Sequence, residues 1–225
     1  MSIQNLLDVN TTFFTALSYP MSYLEFIGTI FTGLSVYLAA KNKLINWPIG
    51  IIGTILYGFL FYQVRLYSDL IEQVYYFITG FWGWHLWSHS KKRLANKTHA
   101  GSRVGYSHTN LNYIAVAITI VLSILLGYFM KNIHVIFPKF FPEPASFAYL
   151  DSATTVMSFV ATIYLAKRKI ESWYYWIIVD IIGIGLYYQK GVVFISLLYT
   201  VFLINAFFGL KQWRKIYEKQ DQKEF

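Results

Sequence analysis

YLEFIGTIFTGLSVYLAAKNKLINWPIGIIGTILYGFLFYQ, residues 23–63, returns without a gap as YLDSATTVMSFVATIYLAKRKIESWYYWIIVDIIGIGLYYQ at residues 149–189. Tyr23-Leu24-Glu25 is matched by Tyr149-Leu150-Asp151, Ala40-Lys41-Asn42-Lys43 by Ala166-Lys167-Arg168-Lys169, Trp47 by Trp173, and Tyr62-Gln63 by Tyr188-Gln189. Thirteen of the 41 aligned positions are identical, where chance pairing in so biased a composition gives about one in ten. The pattern reads as an internal duplication. Further on, the match resumes three residues out of phase, Gly80 with Gly209 and Trp84 with Trp213, which puts a slip in a turn and makes each copy about 65 residues long.

Composition identifies the kind of unit that is duplicated. Apolar residues make up 56% of the chain, aromatic residues 20% and charged residues only 13%, which is the mix of a membrane protein rather than a soluble domain. A helix needs about 20 mainly apolar residues to cross a bilayer. Seven stretches meet that length: 22–40, 46–64, 70–88, 112–130, 146–166, 173–189 and 192–210. The expected fold is an all-α membrane protein of seven transmembrane helices.

Lys and Arg concentrate in cytoplasmic loops, so alternating spans assign the sides. One side receives Lys41, Lys43, Lys91, Lys92, Arg93, Lys97, Arg103, Lys167, Arg168, Lys169, Lys211, Arg214, Lys215, Lys219 and Lys223; the other receives only Arg65, Lys131, Lys139 and Lys190. This predicts an N-terminus outside and a C-terminus in the cytoplasm. The net charge of +8 is then a topology signal facing anionic membrane lipid, and no nucleic-acid partner is needed to explain it. Seven spans divide as 3+1+3, both copies enter the membrane from the same side, and the expected result is a parallel repeat with a site near the midplane between the copies.

The expected organisation is 1–21 as an N-terminal lead or interfacial segment, 22–89 as the first three-helix repeat, and 90–145 as cytoplasmic connector, linker helix and outer loop. Residues 146–214 then form the second repeat and 215–225 a cytoplasmic tail. Pro138, Pro142 and Pro144 rule out a continuous helix between 131 and 145. With no cysteine, disulfide and thiolate chemistry are excluded.

Polar residues at membrane depth are the candidates for function. Trp173, Trp176 and Asp180 fall on one helical face, where two indoles and a carboxylate suit a flat cation. The structural alternative is a bond from Asp180 to a neighbouring helix, with Trp173 in the interfacial belt. Positions 176 and 180 correspond to Gly50 and Thr54 in the first copy, so the pocket is asymmetric. Gly50, Thr54 and Gly58 read as a small-residue packing row. Trp47 faces the substrate or anchors the helix at the interface. Gln73 and Tyr76 lie one turn apart, Asn205 is paired with Tyr76 by the out-of-phase match, and Tyr199, Phe202 and Asn205 form a stripe on the last helix.

Other polar groups have simpler readings. Glu25 and Asp151 are equivalent acids near outer helix ends, and a local ion pair with Arg65 suffices for Asp69 and Glu72. His85 and His89 have metal-ligand spacing but no third ligand, so no metal is expected. No Gly-x-x-x-x-Gly-Lys-Ser/Thr loop is present, no cofactor is expected, and only the two histidines approach the clustered groups that an embedded enzyme needs. A receptor would need a binding surface outside the membrane, and the loops are short and basic.

The seven-span repeat, Asn46-Trp47-Pro48-Ile49-Gly50, Gly80-Phe81-Trp82-Gly83-Trp84, and Trp173-x-x-Trp176-x-x-x-Asp180 together resemble the PnuC vitamin transporters over roughly 22–214. The resemblance implies a fold similar to the SWEET sugar transporters and vitamin uptake across a bacterial inner membrane, with substrates that include nicotinamide riboside, thiamine and riboflavin. The chain looks most like the nicotinamide riboside branch. Facilitated diffusion, trapping by a cytoplasmic nucleoside kinase, a homotrimer, and substrate contact by Trp173, Trp176 and Asp180 are likewise what the resemblance implies.

Overall fold

The computed structural model describes residues 3–16, 19–63, 67–95, 103–139, 141, 144–189 and 193–222. Arg65, Lys97, Pro142, Lys190 and Lys223, and the side chains of Lys91, Lys92 and Arg93, lie outside what is described. The described elements are a short helix α1 (Ile3–Leu7), strands β1 (Thr12–Ala16) and β2 (Tyr19–Ser22), and seven long helices: α2 (Tyr23–Ala40), α3 (Asn46–Gln63), α4 (Tyr67–Ala95), α5 (Thr109–Ile136), α6 (Ala148–Ala166), α7 (Glu171–Gln189) and α8 (Val193–Asp221). The chain is a mostly helical, multi-pass membrane protein. Among the described residues, three segments are long and apolar enough by themselves to cross a bilayer: α2, α5 and Ile195–Asp221 of α8.

The hairpin is the departure from an all-helical reading. Thr12, Phe14 and Ala16 pair with Ser22, Met21 and Tyr19 in antiparallel register, as the β-branched and aromatic residues there favour. Ser22 Oγ then accepts from the Glu25 amide at 3.1 Å, capping α2. Tyr19 donates to Glu25 Oε1 at 2.9 Å; burial, and then that carboxylate, push the Tyr19 hydroxyl up to about 12. Glu25 therefore serves the hairpin. Gln63 fastens the lead to α3, accepting from the Val9 amide at 3.0 Å and donating to the Leu7 carbonyl at 2.7 Å.

The helix bounds correct the expected slip. α4 and α8 have 29 residues each, and 193 − 67 and 221 − 95 both give 126, the offset that relates 23–63 to 149–189. The duplication therefore stays in phase from Tyr23 to Ala95. Gly83 and Trp87 are the counterparts of Gly209 and Trp213, and Asn205 corresponds to Thr79 rather than Tyr76. The helices α4 and α8 themselves end at Ala95 and Asp221.

The turns after α2 and α6 repeat the same hydrogen bonds. Lys43 N–H donates to Leu38 O at 3.0 Å and Asn42 N–H to Ala39 O at 2.9 Å; Lys169 N–H donates to Tyr164 O at 2.8 Å and Arg168 N–H to Leu165 O at 2.9 Å. Each turn ends its helix in a Schellman geometry, with Asn42 at φ 53° and Arg168 at φ 54°. A β-carbon in the left-handed region costs about 1–2 kcal/mol, which asparagine largely escapes. Asn42→Ala is thus expected to destabilise the protein by about 1 kcal/mol, and Asn42→Gly to be neutral or better; thermal melts of the two variants check this.

Helices pack in sequence as α2–α3–α4 and as α6–α7–α8, α5 packs on α6, and the two groups meet through α2 with α8 and α4 with α6. The tight points on α2–α3 are Gly50 against Ser35 Oγ and Gly53 against Thr32 Oγ1, both at 2.7 Å for an added β-carbon, while Gly58 makes only ordinary contact. The close approach therefore follows Gly50 and Gly53, one turn apart, not the row Gly50, Thr54, Gly58.

Candidate functional site

At the end of the bundle that carries the Lys41 and Lys167 turns, four indoles form a buried core. Trp47 lies across Gly83 and edge-on to Trp87, with centroids 5.5 Å apart; Trp173 lies across Gly209 and edge-on to Trp213, also at 5.5 Å. Trp87 and Trp213 then meet at 6.1 Å. Trp87 Nε1 donates to the Ala166 carbonyl at 3.0 Å and Trp213 Nε1 to the Ala39 carbonyl at 3.1 Å, so each repeat bonds the other's first helix. The Arg168 guanidinium covers the Trp87 ring at 4.3 Å, and burial pushes that guanidinium down to about 10. These contacts correct the reading of Trp47 and Trp173 as belt residues: both face protein, because a glycine opposite each leaves room for the ring.

The same contacts fix the level of every other candidate. α7 and α8 are antiparallel, with Trp173 on Gly209 and Tyr199 on Gly183, so ten residues on one helix match ten on the other. Asn205 accordingly falls between Trp176 and Asp180, and Phe202 falls level with Asp180. Three candidates from two helices, Trp176, Asp180 and Asn205, thus share one depth, about 5–10 Å along the axis from Trp173.

Asp180 is 3% exposed and has no hydrogen bond or ion pair among the described residues. An isolated carboxylate in an apolar interior is costly unless something completes it. Asn205 Nδ2 is buried without an acceptor, as are the indole N–H groups of Trp47 and Trp173. Trp176 is half-buried against the aromatic core. Tyr199 stacks on Tyr187 at 5.3 Å and feels the charges of both Asp180 and Glu72. A charge, an amide donor, indole faces and phenols are what a flat, polar, cationic ligand requires.

Gln73 and Tyr76 sit on α4, half-buried, with the Tyr76 hydroxyl near Ser158 of α6. Sequence reasoning missed the neighbouring pair: Thr155 Oγ1 donates to Glu72 Oε1 at 2.5 Å. It also missed the match of Trp87 with Trp213, which extending the 126-residue offset past Gln63 finds. Asp151 lies within electrostatic reach of Glu72. His89 Nδ1 is 3.0 Å from the His85 carbonyl oxygen, and no group of three potential ligands exists among the described residues.

The family model described as "Nicotinamide mononucleotide transporter" matches residues 22–215. The nicotinamide riboside transporter PnuC of Escherichia coli (strain K12) is 28% identical over 210 residues, which is 87% of this chain and 86% of that protein. The riboflavin/roseoflavin transporter RibM of Streptomyces davaonensis is 21% identical over 207 residues, 91% of each chain. Among solved structures, that of the vitamin B3 transporter PnuC superposes with a TM-score of 0.64 at 22% identity, covering 88% of this chain and 83% of the other.

Proposed function

The chain belongs to the nicotinamide mononucleotide transporter family, whose members are membrane transporters and not enzymes, and from that premise we propose that it carries nicotinamide riboside across a bacterial inner membrane. The observation that carries the choice is Asp180, a buried carboxylate with no partner among the described residues, at the level of Trp176 and Asn205. A pyridinium supplies the missing charge and a flat face for the indole, and ribose hydroxyls suit the Asn205 amide. Trp176, Asp180 and Asn205 are the assigned contacts, with Gln73, Tyr76 and Tyr199 as further contacts from α4 and α8; Trp47 and Trp173 belong to the indole core that closes the cytoplasmic end beneath them.

Two like-facing three-helix repeats joined by α5, in the 3+1+3 order of the SWEET transporters, complete the proposed architecture. The constant 126-residue offset and the matched turns support it, and the split of Lys and Arg supports an outside N-terminus and a cytoplasmic C-terminus. Substrate runs down its gradient and is trapped by a cytoplasmic nucleoside kinase. The basic loops rest on anionic lipid, and the assembled form is a homotrimer, as the family resemblance implies.

Thiamine, another flat aromatic cation, is the second reading, and the likeness to RibM keeps riboflavin in the test. Purified protein in liposomes, without ATP or an ion gradient, is expected to equilibrate labelled nicotinamide riboside across the membrane. Accumulation above the bath concentration would point to ion coupling, and no entry would refute the assignment. Calorimetric titration of one preparation with nicotinamide riboside, thiamine and riboflavin ranks the substrates.

A further inference from the structure

Glu72 is a second, half-buried acid, and no base is paired with it among the described residues. It lies on α4 one turn from Tyr76, at the seam where α4 meets α6. Thr155 holds its Oε1 at 2.5 Å, and one turn along the same seam the Tyr75 hydroxyl donates to the Phe159 carbonyl at 2.8 Å, with the two rings 4.0 Å apart. The charged residues facing Glu72 among those described are Asp69 and Asp151, both acids. On the opposite seam the 126-residue offset puts Leu198 where Glu72 stands, and Thr29, the counterpart of Thr155, is hydrogen-bonded to Tyr57 at 2.8 Å instead. The carboxylate is therefore a feature of one seam only and is not needed to join the repeats.

Two further observations tie Glu72 to the candidate site. The Tyr199 ring seats on Gly183, one turn from Asp180, and lies within electrostatic reach of Glu72 and Tyr76, so a single phenol borders a polar tract with an acid on each side. At the other end of that tract Asp180 is 3% exposed and unpartnered. A tract with a carboxylate at each end and no described base between them has the chemistry to receive a cation.

Building on the assignment of a cationic vitamin above, we propose that Glu72 selects substrate charge: held in place by Thr155, its carboxylate receives the cation on the side of Asp180 nearer the N-terminus of α4. The full-length protein in detergent is titrated with nicotinamide riboside and with its reduced dihydropyridine form, which has nearly the same shape and no charge. Glu72→Gln keeps an acceptor for Thr155 and removes the charge. It is expected to weaken the cation by about tenfold while changing the uncharged form by less than about twofold; Glu72→Asp is expected to restore the preference for the cation. Equal losses for both compounds, or no loss for either, overturn the proposal.

Should Glu72→Gln not fold, a hydrophobic carbodiimide applied to the unaltered protein gives the answer. Saturating nicotinamide riboside is expected to lower modification of Glu72 several-fold, read by peptide mass, and modification indifferent to substrate overturns the proposal. Unaltered protein that binds neither compound refutes the substrate assignment itself, a result distinct from a variant that fails to discriminate.

Discussion

Asp180→Asn will bind nicotinamide riboside on the order of a hundredfold more weakly than the unaltered protein and will melt at a higher temperature. The two changes have one cause. At 3% exposure and without a partner among the described residues, the carboxylate raises the energy of the empty protein, and an arriving pyridinium relieves it. Asparagine has the same shape and no charge, so the empty protein gains what the complex loses. Removing one member of a buried charge pair typically costs about 3–5 kcal/mol, so two orders of magnitude in affinity, about 2.7 kcal/mol, lies just below that range. Trp176→Ala, which removes an indole face and leaves the charge, is expected to lose about tenfold. Calorimetry gives both affinities and thermal melting without ligand gives the stability. Loss of stability and affinity together in Asp180→Asn would mark a structural residue, and native affinity in both variants would place the pocket elsewhere.

Much of this arrangement was legible because membrane depth leaves few polar residues to consider. Trp173, Trp176 and Asp180 repeat at helical spacing, so their common face needed no coordinates. What spacing could not supply was the partner on the next helix. Asn205 stands out in the sequence as an amide at membrane depth on the Tyr199, Phe202, Asn205 stripe, but its level with Trp176 is set by Gly209 and Gly183, which seat Trp173 and Tyr199 in register. For Glu72 the sequence offers a local partner in Arg65, which lies outside the described residues; the bond to Thr155, 83 residues away, is one that sequence spacing cannot show. The hairpin was missed for a different reason: two strands of five and four residues are too short for their alternation to outweigh an apolar surrounding. The slip between repeats came from preferring a Trp84–Trp213 match over the in-phase match of Trp87 with Trp213. Composition offers many tryptophans, and only packing tells which of them are equivalent.

The second large effect is expected in stability, where the glycines opposite the indoles decide. A β-carbon on Gly209 would stand 2.6 Å from the outer atoms of the Trp173 ring, and one on Gly83 would stand 2.4 Å from those of Trp47. Neither ring can slide away, since Trp213 and Trp87 hold them edge-on at 5.5 Å. Overpacking of this kind costs about 1–3 kcal/mol, so Gly209→Ala and Gly83→Ala should each lower the melting temperature in detergent by roughly 4–8 °C. Gly185 is the control: it is helical with no atom within 4 Å of an added β-carbon, and Gly185→Ala should raise stability by up to about 1 kcal/mol. The two seats are also coupled, because Trp87 and Trp213 touch at 6.1 Å and each donates to a carbonyl of the other repeat. Once one seat has displaced its indole, part of the cross-repeat contact is already lost, and the second substitution has less to break. The double variant should therefore fall short of the sum of the single losses by about 0.5 kcal/mol or more. Strict additivity would mean that each repeat seats its tryptophans independently, and the indoles would then be two separate helix contacts rather than one core closing both halves of the bundle.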